Sequence, residues 1–358
     1  MPLVILKIIK LLRLMDQREQ LKLFNMEIKK YQPNKTLPLE LIDLLKRKYG
    51  KSKNFDYFLS DYQKAFDFCI GNESVIFIPI AAYQENVMQA HIALIIDKRL
   101  ASGEAFFGFL ETPEDTLVFS LIWDSLVEEA RTRGISVLKG PVNGSIWHQY
   151  RCIKETDGSK FFKSELFSEA YYCDFLSSKK PTSELVYHSG YRERFDAILQ
   201  VGQPAYDKLT SVGLVVKEME VGSREILQTI ASISRTVFKN SWGYVELNEK
   251  EFFKLYSSEK ITSGTRIYLL YKGKEIIGFC GVFKEDESTL ICKTIALLPE
   301  YQGVGLGNAL AFRVHLDAKE EGIKKIIYAL IREDNNIKNF PKEGAVIFRK
   351  YAAFEFHI

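Results

Sequence analysis

One stretch of the sequence, residues 290–308, restricts the possible folds more than any other. Residues 290–298 are largely apolar and predict a buried strand. Pro299 ends that strand, because it has no N–H group to donate to a neighbour. Three glycines at alternate positions follow, and apolar residues at i, i+3 and i+4 spacing then predict a helix that ends at Gly322. The stretch therefore predicts a strand, a glycine-rich turn and a helix.

A turn of this kind suits an anion. Gly303, Gly305 and Gly307 carry no Cβ atoms, so a ligand can approach the backbone closely. The N–H groups of the turn and of the helix N-terminus face one point and favour negative charge there. We expect a phosphate or a pyrophosphate as the ligand, and a tight turn without a ligand is the alternative. The turn has neither the Gly-Lys-Ser/Thr of the P-loop nor the last glycine of the dinucleotide fingerprint.

Two short runs in this stretch resemble a known family. Gln302-Gly-Val-Gly305-Leu-Gly307 resembles the (Arg/Gln)-x-x-Gly-x-(Gly/Ala) acyl-CoA loop of the GNAT acetyltransferase superfamily, and Leu298-Pro-Glu-Tyr301 is similar to the run that usually introduces that loop. The resemblance extends over residues 213–354. The predicted order there is strand, helix, helix, three antiparallel strands, helix and strand, which is the order of the family.

The resemblance implies a role for the loop and for the strand before it. Backbone N–H groups of the loop would hold the pyrophosphate of acetyl-CoA or another acyl-CoA, the Gln302 side chain would add a hydrogen bond, and backbone at the end of the strand would pair with the pantetheine arm. An asparagine soon after the fifth strand is also typical of the family. The implied coenzyme-binding residues are Leu297, Leu298, Gln302, Gly303, Val304, Gly305, Leu306, Gly307, Asn308 and Asn336. No metal is implied.

The resemblance also implies a catalytic residue. Tyr351, in a run from Phe348 to Phe354 that corresponds to a short helix in the family, would protonate the leaving sulfur as a general acid. A tyrosine that only packs on the sheet is the alternative. Because an inserted run at 339–344 precedes it and the chain stops at Ile358, we expect the family's last strand to be short or missing. The general base stays open among four residues chosen by location: Glu285, Glu287, Asp334 and Glu343.

The first half of the chain repeats part of this pattern. Strands and a helix predicted over residues 73–140 follow the order of the central part of a GNAT domain, and the runs 106–111 and 140–143 resemble the N-terminal half of bacterial tandem-GNAT proteins. In place of a glycine loop, this half has Glu111-Thr-Pro-Glu-Asp115. Acidic residues at a helix N-terminus suit its dipole and repel a pyrophosphate. We therefore expect a degenerate GNAT-like domain without a coenzyme site. Asn143, Trp147, His148 and Arg151 are interpreted as a packing turn, with an acceptor-binding wall as the alternative.

These patterns predict an α+β protein of two tandem GNAT-like domains, each a mixed, mostly antiparallel sheet flanked by helices. The first domain covers residues 26–200 and the acyl-CoA-binding domain residues 213–358, with a linker at 201–212. Residues 1–25 form an N-terminal extension. A helix packed on the protein, an amphipathic interfacial helix and residues upstream of a start at Met26 all stay open for it.

Composition narrows the partners and the compartment. A net charge of +3 over 358 residues gives no reason to expect nucleic acid or a membrane as the main partner. The apolar run at the N-terminus is too short to span a membrane, so we expect no stable membrane insertion. Five cysteines without close spacing suit a reducing cytoplasm. The sequence leaves the oligomeric state open.

Three functions follow from these observations. The first is an acyl-CoA-dependent N-acyltransferase, most simply an acetyltransferase, which acts on a small-molecule or peptide amine by direct transfer in a ternary complex. The second is a tRNA-dependent aminoacyl transferase of the tandem-GNAT kind. The third is a non-catalytic acyl-CoA-binding module. The intact run from Gln302 to Gly307 favours coenzyme A over tRNA as the carrier.

Overall fold

The computed structural model of the protein describes residues 25–34, 36–220, 224–256, 265–334 and 343–358. The chain divides into two compact units. Unit one comprises the described residues up to Cys152, then 164–184 and 353–358. Unit two comprises 153–163 and the described residues from Leu185 to Ala352. Both units mix helices with a mostly antiparallel sheet, which confirms the predicted fold class.

Unit one is built on a sheet in the order β1-β2-β3-β4-β5. Neighbouring strands are antiparallel except β4 and β5, which are parallel and are joined by helix α3. A crossover of this kind is required between parallel neighbours. The last residues of the chain, from Phe354, pair with β5. The elements are β1 (Met26–Lys30), α1 (Leu39–Tyr49), α2 (Phe55–Ile70), β2 (Val75–Gln84), β3 (Val87–Asp97), β4 (Glu104–Glu111), α3 (Thr116–Thr132), β5 (Val137–Gly140), β6 (Cys152–Thr156) and α4 (Tyr171–Ser178), of which β6 continues into unit two.

In unit two the strands follow the order β13-β7-β12-β11-β10-β9-β8, with β6 paired to β13. The pair β11 and β12 is parallel and is joined by helix α8. The elements are β7 (Ser183–Arg192), α5 (Asp196–Ser211), β8 (Leu214–Glu220), α6 (Arg224–Phe238), α7 (Glu249–Tyr256), β9 (Thr265–Lys272), β10 (Glu275–Asp286), β11 (Thr289–Leu297), a 3₁₀ turn (Pro299–Tyr301), α8 (Leu306–Glu320), β12 (Lys325–Arg332) and β13 (Ala345–His357).

Helix α8 rests on the sheet of unit two through a continuous apolar core. Its buried face packs with side chains from α5, β9, β10, β11 and β12, and the core is fully closed to water at several positions. Burial of this apolar area stabilises the unit at about 25 cal/mol per Å². The core fixes where α8 begins relative to the end of β11, and that position sets the geometry of the glycine loop.

The structure differs from the sequence-based expectations near Tyr351. The linker at 201–212 stays a prediction as a boundary between domains, and its residues up to Ser211 are helical: they belong to α5, which contains Pro204 and packs on α8. The expected helix around Tyr351 is wrong: it lies in β13, which has 13 residues, so the last strand is neither short nor missing. From Phe348 to Phe356 nearly every residue is buried, which suits a strand covered on both faces. The predicted extension up to residue 24 and Asn336 lie outside the described residues.

Candidate functional site

The parallel ladder between β11 and β12 stops early. It runs from Thr289 opposite Lys325 to Cys292 opposite Tyr328 and goes no further among the described residues. Beyond this point β11 stays paired with β10 alone. We call the opening between the two strands beyond Cys292 and Tyr328 the cleft. Its β11 side presents backbone N–H and C=O groups that are not used by β12.

Irregular pairing in both strands explains why they separate. On β11, Val282 of β10 faces Cys292 while Gly281 faces Thr294, so Lys293 is an extra residue. On β12, the register with β7 shifts between Tyr328 and Ile331, and Leu330 has a positive φ of 60°. A bulge bends the strand that carries it and increases its twist. Because each strand bends directly after the last paired position, the two diverge.

Ser189 of β7 holds the irregular part of β12 in place. Its Oγ accepts a hydrogen bond from the backbone N–H of Leu330 at 3.0 Å and another from the Tyr351 hydroxyl at 3.1 Å. Tyr351 is 3% exposed and Ser189 is fully buried. The tyrosine therefore stabilises the bulge through the serine, which is a contact that the sequence does not reveal.

The glycine loop follows the wider end of the cleft. After the 3₁₀ turn, Gly303 and Gly305 have φ angles of 79° and 91°, a region that side-chain-bearing residues rarely adopt. A Cβ atom at Gly303 or Gly307 would meet nothing within 4 Å, and one at Gly305 would meet just the Cβ of Ala205 at 3.9 Å. The loop surface is therefore open, as an anion site requires.

Several N–H groups of the loop are available to a ligand. The N–H groups of Asn308 and Ala309 both donate to the Gly305 carbonyl, at 3.0 and 3.2 Å. Within the described part of the chain, the N–H groups of residues 304–307 donate to no backbone carbonyl. No acidic residue lies in the first turn of α8, and its N-cap, Gly305, has no side chain. The positive end of the helix dipole is thus left without a counter-charge.

The predicted coenzyme-binding residues mostly lie together. Those from Gln302 to Asn308 form the loop and the first turn of α8, with Val304 63% exposed and Leu306 buried. The Gln302 amide donates to the Leu297 carbonyl at 2.8 Å, and the Leu298 N–H donates to Ile277 of β10 at 3.0 Å. These two strand-end groups have partners within unit two. Their role toward a pantetheine arm stays a prediction.

Tyr351 lies away from this group of residues. In the order β13-β7-β12-β11, three strand spacings separate its strand from β11, which corresponds to about 14 Å between the strand axes. Its predicted role as a proton donor is not tested by this arrangement and stays a prediction. Among the suggested bases, the Glu285 carboxylate accepts the Lys163 N–H at 2.9 Å, and Glu287 pairs with Lys284 at 2.7 Å.

A polar pair lies at the narrow end of the cleft. The His315 Nδ1 atom is 2.6 Å from the Ala311 carbonyl, which can accept but not donate, so Nδ1 carries the proton. Burial lowers the pKa of His315 to about 4, and the ring is therefore neutral near pH 7. Its Nε2 then accepts from the Tyr328 hydroxyl. This bond ties β12 to α8 at the point where the strands separate. No sequence pattern indicates this pair, since the two residues lie on different elements.

The corresponding opening in unit one is filled by the chain itself. β4 and β5 pair from Glu104 to Phe106, after which the Asn143 side-chain carbonyl accepts the Phe109 N–H at 2.6 Å. A Cβ atom at Gly108 would lie 1.9 Å from the Val142 carbonyl oxygen, so the 142–143 segment presses directly on β4. This contact supports the interpretation of Asn143 as part of a packing turn.

The helix after β4 also lacks a free N-terminus. The Asp115 carboxylate caps α3 and accepts hydrogen bonds from the N–H groups of Leu117 and Val118 at 2.8 and 3.2 Å. The chain's own carboxylate thus occupies the position that an anion would take. Unit one and unit two therefore share a strand–turn–helix order but differ in whether the anion position is open.

Comparison with known proteins agrees with this geometry. Residues 228–339 match the family model described as Acetyltransferase (GNAT) family. This region of the chain therefore belongs to the GNAT family. The matched residues run from α6 past the end of β12 and include the whole glycine loop. They form an acetyltransferase (GNAT) domain within unit two. Among curated proteins, no sequence match is found.

Solved structures with a similar fold include a tandem GNAT protein and a GCN5-related N-acetyltransferase. A tandem GNAT protein from the clavulanic acid biosynthesis pathway aligns over 92% of this chain and 98% of its own, with a TM-score of 0.54 and 10% identity. A GCN5-related N-acetyltransferase from Sphaerobacter thermophilus aligns over 92% and 95%, with a TM-score of 0.50 and 8% identity. At these identities the likeness concerns the fold alone, and it confirms the predicted fold class of two tandem GNAT-like domains. Within the described residues, no helix has the length and apolar composition needed to cross a membrane.

Proposed function

We propose that unit two is an acyl-CoA-dependent N-acyltransferase, most simply an acetyltransferase, that acts on a small-molecule or peptide amine. One observation carries the proposal. The cleft beside β11 leads to an open glycine loop at an uncapped helix N-terminus. An extended arm with a pyrophosphate at one end suits a strand edge that continues into an anion site.

The residues present fit such a cosubstrate. The backbone N–H groups of residues 304–307 would hold the pyrophosphate, and the edge of β11 from Thr294, which β12 does not pair, would bind the arm. An acyl-CoA would supply an activated thioester: the amine nitrogen would bond to the acyl carbon, the carbon–sulfur bond would break, the amine would lose a proton, and coenzyme A would leave as the free thiol. The chain would hold the two reactants in position and keep other reactants out. Two reactants held in the right geometry react much faster than free ones. Transfer within a ternary complex needs no covalent group on the protein.

Substitution at Gly305 tests the proposal. Gly305→Glu places a strained, negatively charged residue in the loop at a φ of 91°, where it would repel a pyrophosphate. For the unchanged protein, coenzyme A or acetyl-CoA at 100 times its Kd should raise the melting temperature by roughly 5–10 °C. We expect this rise to disappear in Gly305→Glu when it is measured by thermal unfolding and by calorimetric titration.

A matched control exists at the other end of the same helix. Gly322 has a φ of 75° and open space around its Cβ position, so Gly322→Glu introduces similar strain and the same charge. The 15 residues of α8 place it about 22 Å from the loop, and it should bind coenzyme A normally. An unchanged protein that fails to bind coenzyme A at millimolar concentration would refute the proposal. Binding without thiol release on a broad panel of amines would favour the non-catalytic module, and tRNA-dependent transfer would favour the aminoacyl transferase.

A further inference from the structure

Helix α5 lies along α8 and reaches the glycine loop. A Cβ atom at Gly202 would lie 2.7 Å from the Phe312 Cβ and 3.3 Å from the Asn308 carbonyl oxygen, and Ala205 lies beside Gly305. Towards the other end of α8, Lys319 pairs with the first residue of α5, Asp196, at 2.9 Å. The two helices are therefore antiparallel, and rising residue numbers along α5 lead toward the loop and then past it.

Lys208 is an exposed cation that this arrangement places beyond the contact between α5 and the loop. It lies three residues, about 4.5 Å along the axis, beyond Ala205 and on a neighbouring part of the helix surface. Leu209 is buried in the core and anchors this turn of α5, while Lys208 is exposed. Across the described residues, the Lys208 ammonium forms no hydrogen bond or ion pair. Its charge is therefore available to a ligand.

The order of groups in coenzyme A indicates which part of the ligand would lie there. The step rests on the proposed function, in which the arm follows β11 and the pyrophosphate sits on the loop. The 3′-phosphorylated adenosine is attached to the far side of the pyrophosphate, so it has to extend past the loop and away from β11. The end of α5 lies on that side of the loop, since it continues beyond the α8 N-terminus.

We propose that Lys208 binds the 3′-phosphate of the coenzyme and lets this site distinguish coenzyme A from its 3′-dephospho form. α5 ends at Ser211, before the matched family region begins at residue 228, so this contact would come from a helix outside that region. A second lysine near the loop, Lys272, donates to the Tyr301 hydroxyl at 3.2 Å and lies before the loop rather than beyond it. Lys272 therefore serves as a comparison for Lys208, since it is a lysine at a different position near the loop.

The experiment measures two ligands against four proteins. Calorimetric titration with coenzyme A and with 3′-dephospho-coenzyme A is carried out on the unchanged protein, Lys208→Gln, Lys272→Gln and Lys319→Gln. We expect Lys208→Gln to weaken coenzyme A binding about five-fold, the upper range for an exposed ion pair, and to leave dephospho-coenzyme A binding unchanged. The loss of coenzyme A affinity caused by Lys208→Gln should shrink as the salt concentration is raised, because salt screens exposed charges. Lys319→Gln, at the far end of α8, should change neither affinity.

Each alternative result has a separate meaning. Equal weakening of both ligands by Lys208→Gln, or no change in either, would overturn the assignment to the 3′-phosphate. The same would follow if the unchanged protein bound both ligands equally, or if Lys272→Gln and not Lys208→Gln showed the selective loss. Failure of the unchanged protein to bind either ligand would instead refute the proposed function. Melting temperatures of the variants verify that each one is folded.

Discussion

The buried carboxyl of Glu111 makes the stability of unit one depend on pH. It lies at the end of β4, is 2% exposed, and accepts hydrogen bonds from the hydroxyls of Tyr49 and Tyr172 at 3.1 and 2.9 Å. Burial raises the pKa of Glu111 from 4.5 to about 7, although the positive charge of Lys48 and the two hydroxyl donors lower it in part. The folded protein therefore keeps this proton over a pH range in which the unfolded chain has lost it.

The sign and size of the effect follow from that difference. Because the folded state binds more protons between pH 4.5 and about 7, the free energy of unfolding falls as the pH rises through this window. The stability that this proton contributes is full below the pKa of the unfolded chain, 4.5, and is lost above the pKa of the folded protein, about 7. A pKa of about 7 compared with 4.5 corresponds to about 3 kcal/mol. This is a large share of the stability of an ordinary domain.

Glu111→Gln removes the titration and keeps an oxygen that can accept from both tyrosines. We expect the free energy of unfolding of the variant, minus that of the unchanged protein, to rise by about 3 kcal/mol between pH 4.5 and pH 8. His91 and His315, whose pKa values burial lowers to about 4, titrate in both proteins and cancel in the difference. A change in hydrogen bonding that does not depend on pH shifts the stability difference by a constant and leaves its slope against pH unchanged.

Urea unfolding followed by tryptophan fluorescence measures this difference. A Trp242→Phe background leaves Trp123 and Trp147, which both belong to unit one, as the reporters. Glu114→Gln, at an exposed carboxyl three residues further on, is the matched control and should leave the slope unchanged. A difference that stays flat within 1 kcal/mol, or that falls with pH, would refute the reasoning that burial dominates at Glu111.

Two further predictions concern single hydrogen bonds, that of the Tyr351 hydroxyl in unit two and that of the Asn143 amide in unit one. Tyr351→Phe removes the donor to Ser189 and should lower the free energy of unfolding by about 1 kcal/mol in urea titrations. If Tyr351 also acts as the predicted proton donor, the same variant should release thiol at least about 100-fold more slowly at unchanged coenzyme affinity. Asn143→Ala leaves the buried N–H of Phe109 without its acceptor and should cost about 1–3 kcal/mol by the same measurement, and a loss below 0.5 kcal/mol would contradict that account.

The sequence predicts the glycine loop well because the relevant physics is local. Gly303 and Gly305 adopt positive φ angles, Pro299 starts a turn directly after β11, and the helix begins at Leu306. Each of these features depends on the conformational range of single residues and on apolar spacing. The acidic turn of the first half is equally local: Asp115 caps the helix that follows it. The tandem fold class followed from the same kind of pattern.

The sequence fails where long-range pairing decides the outcome. A run such as Phe348 to Phe354 suits a helix or a strand about equally, and the backbone partners that β13 finds on β6 and β5 decide for the strand. The stretch 201–212 looks like a linker because it contains Gly202 and Pro204. Yet Gly202 is what allows α5 to approach α8 within van der Waals contact, so the residue that suggested a joint is required for packing.

The contrast between the two units separates two conditions that a coenzyme site has to meet. The first is electrostatic: α8 begins with Gly305 and no acid, whereas Asp115 neutralises the start of α3. The second is steric: the cleft beside β11 is open, whereas Asn143 fills the corresponding place beside β4. The two conditions involve different segments of unit one. Removing the Asp115 carboxylate alone would expose a helix N-terminus and still leave no strand edge for an extended arm. A glycine-rich turn by itself is therefore weak support for acyl-CoA binding. A glycine-rich turn joined to an open strand edge is strong support.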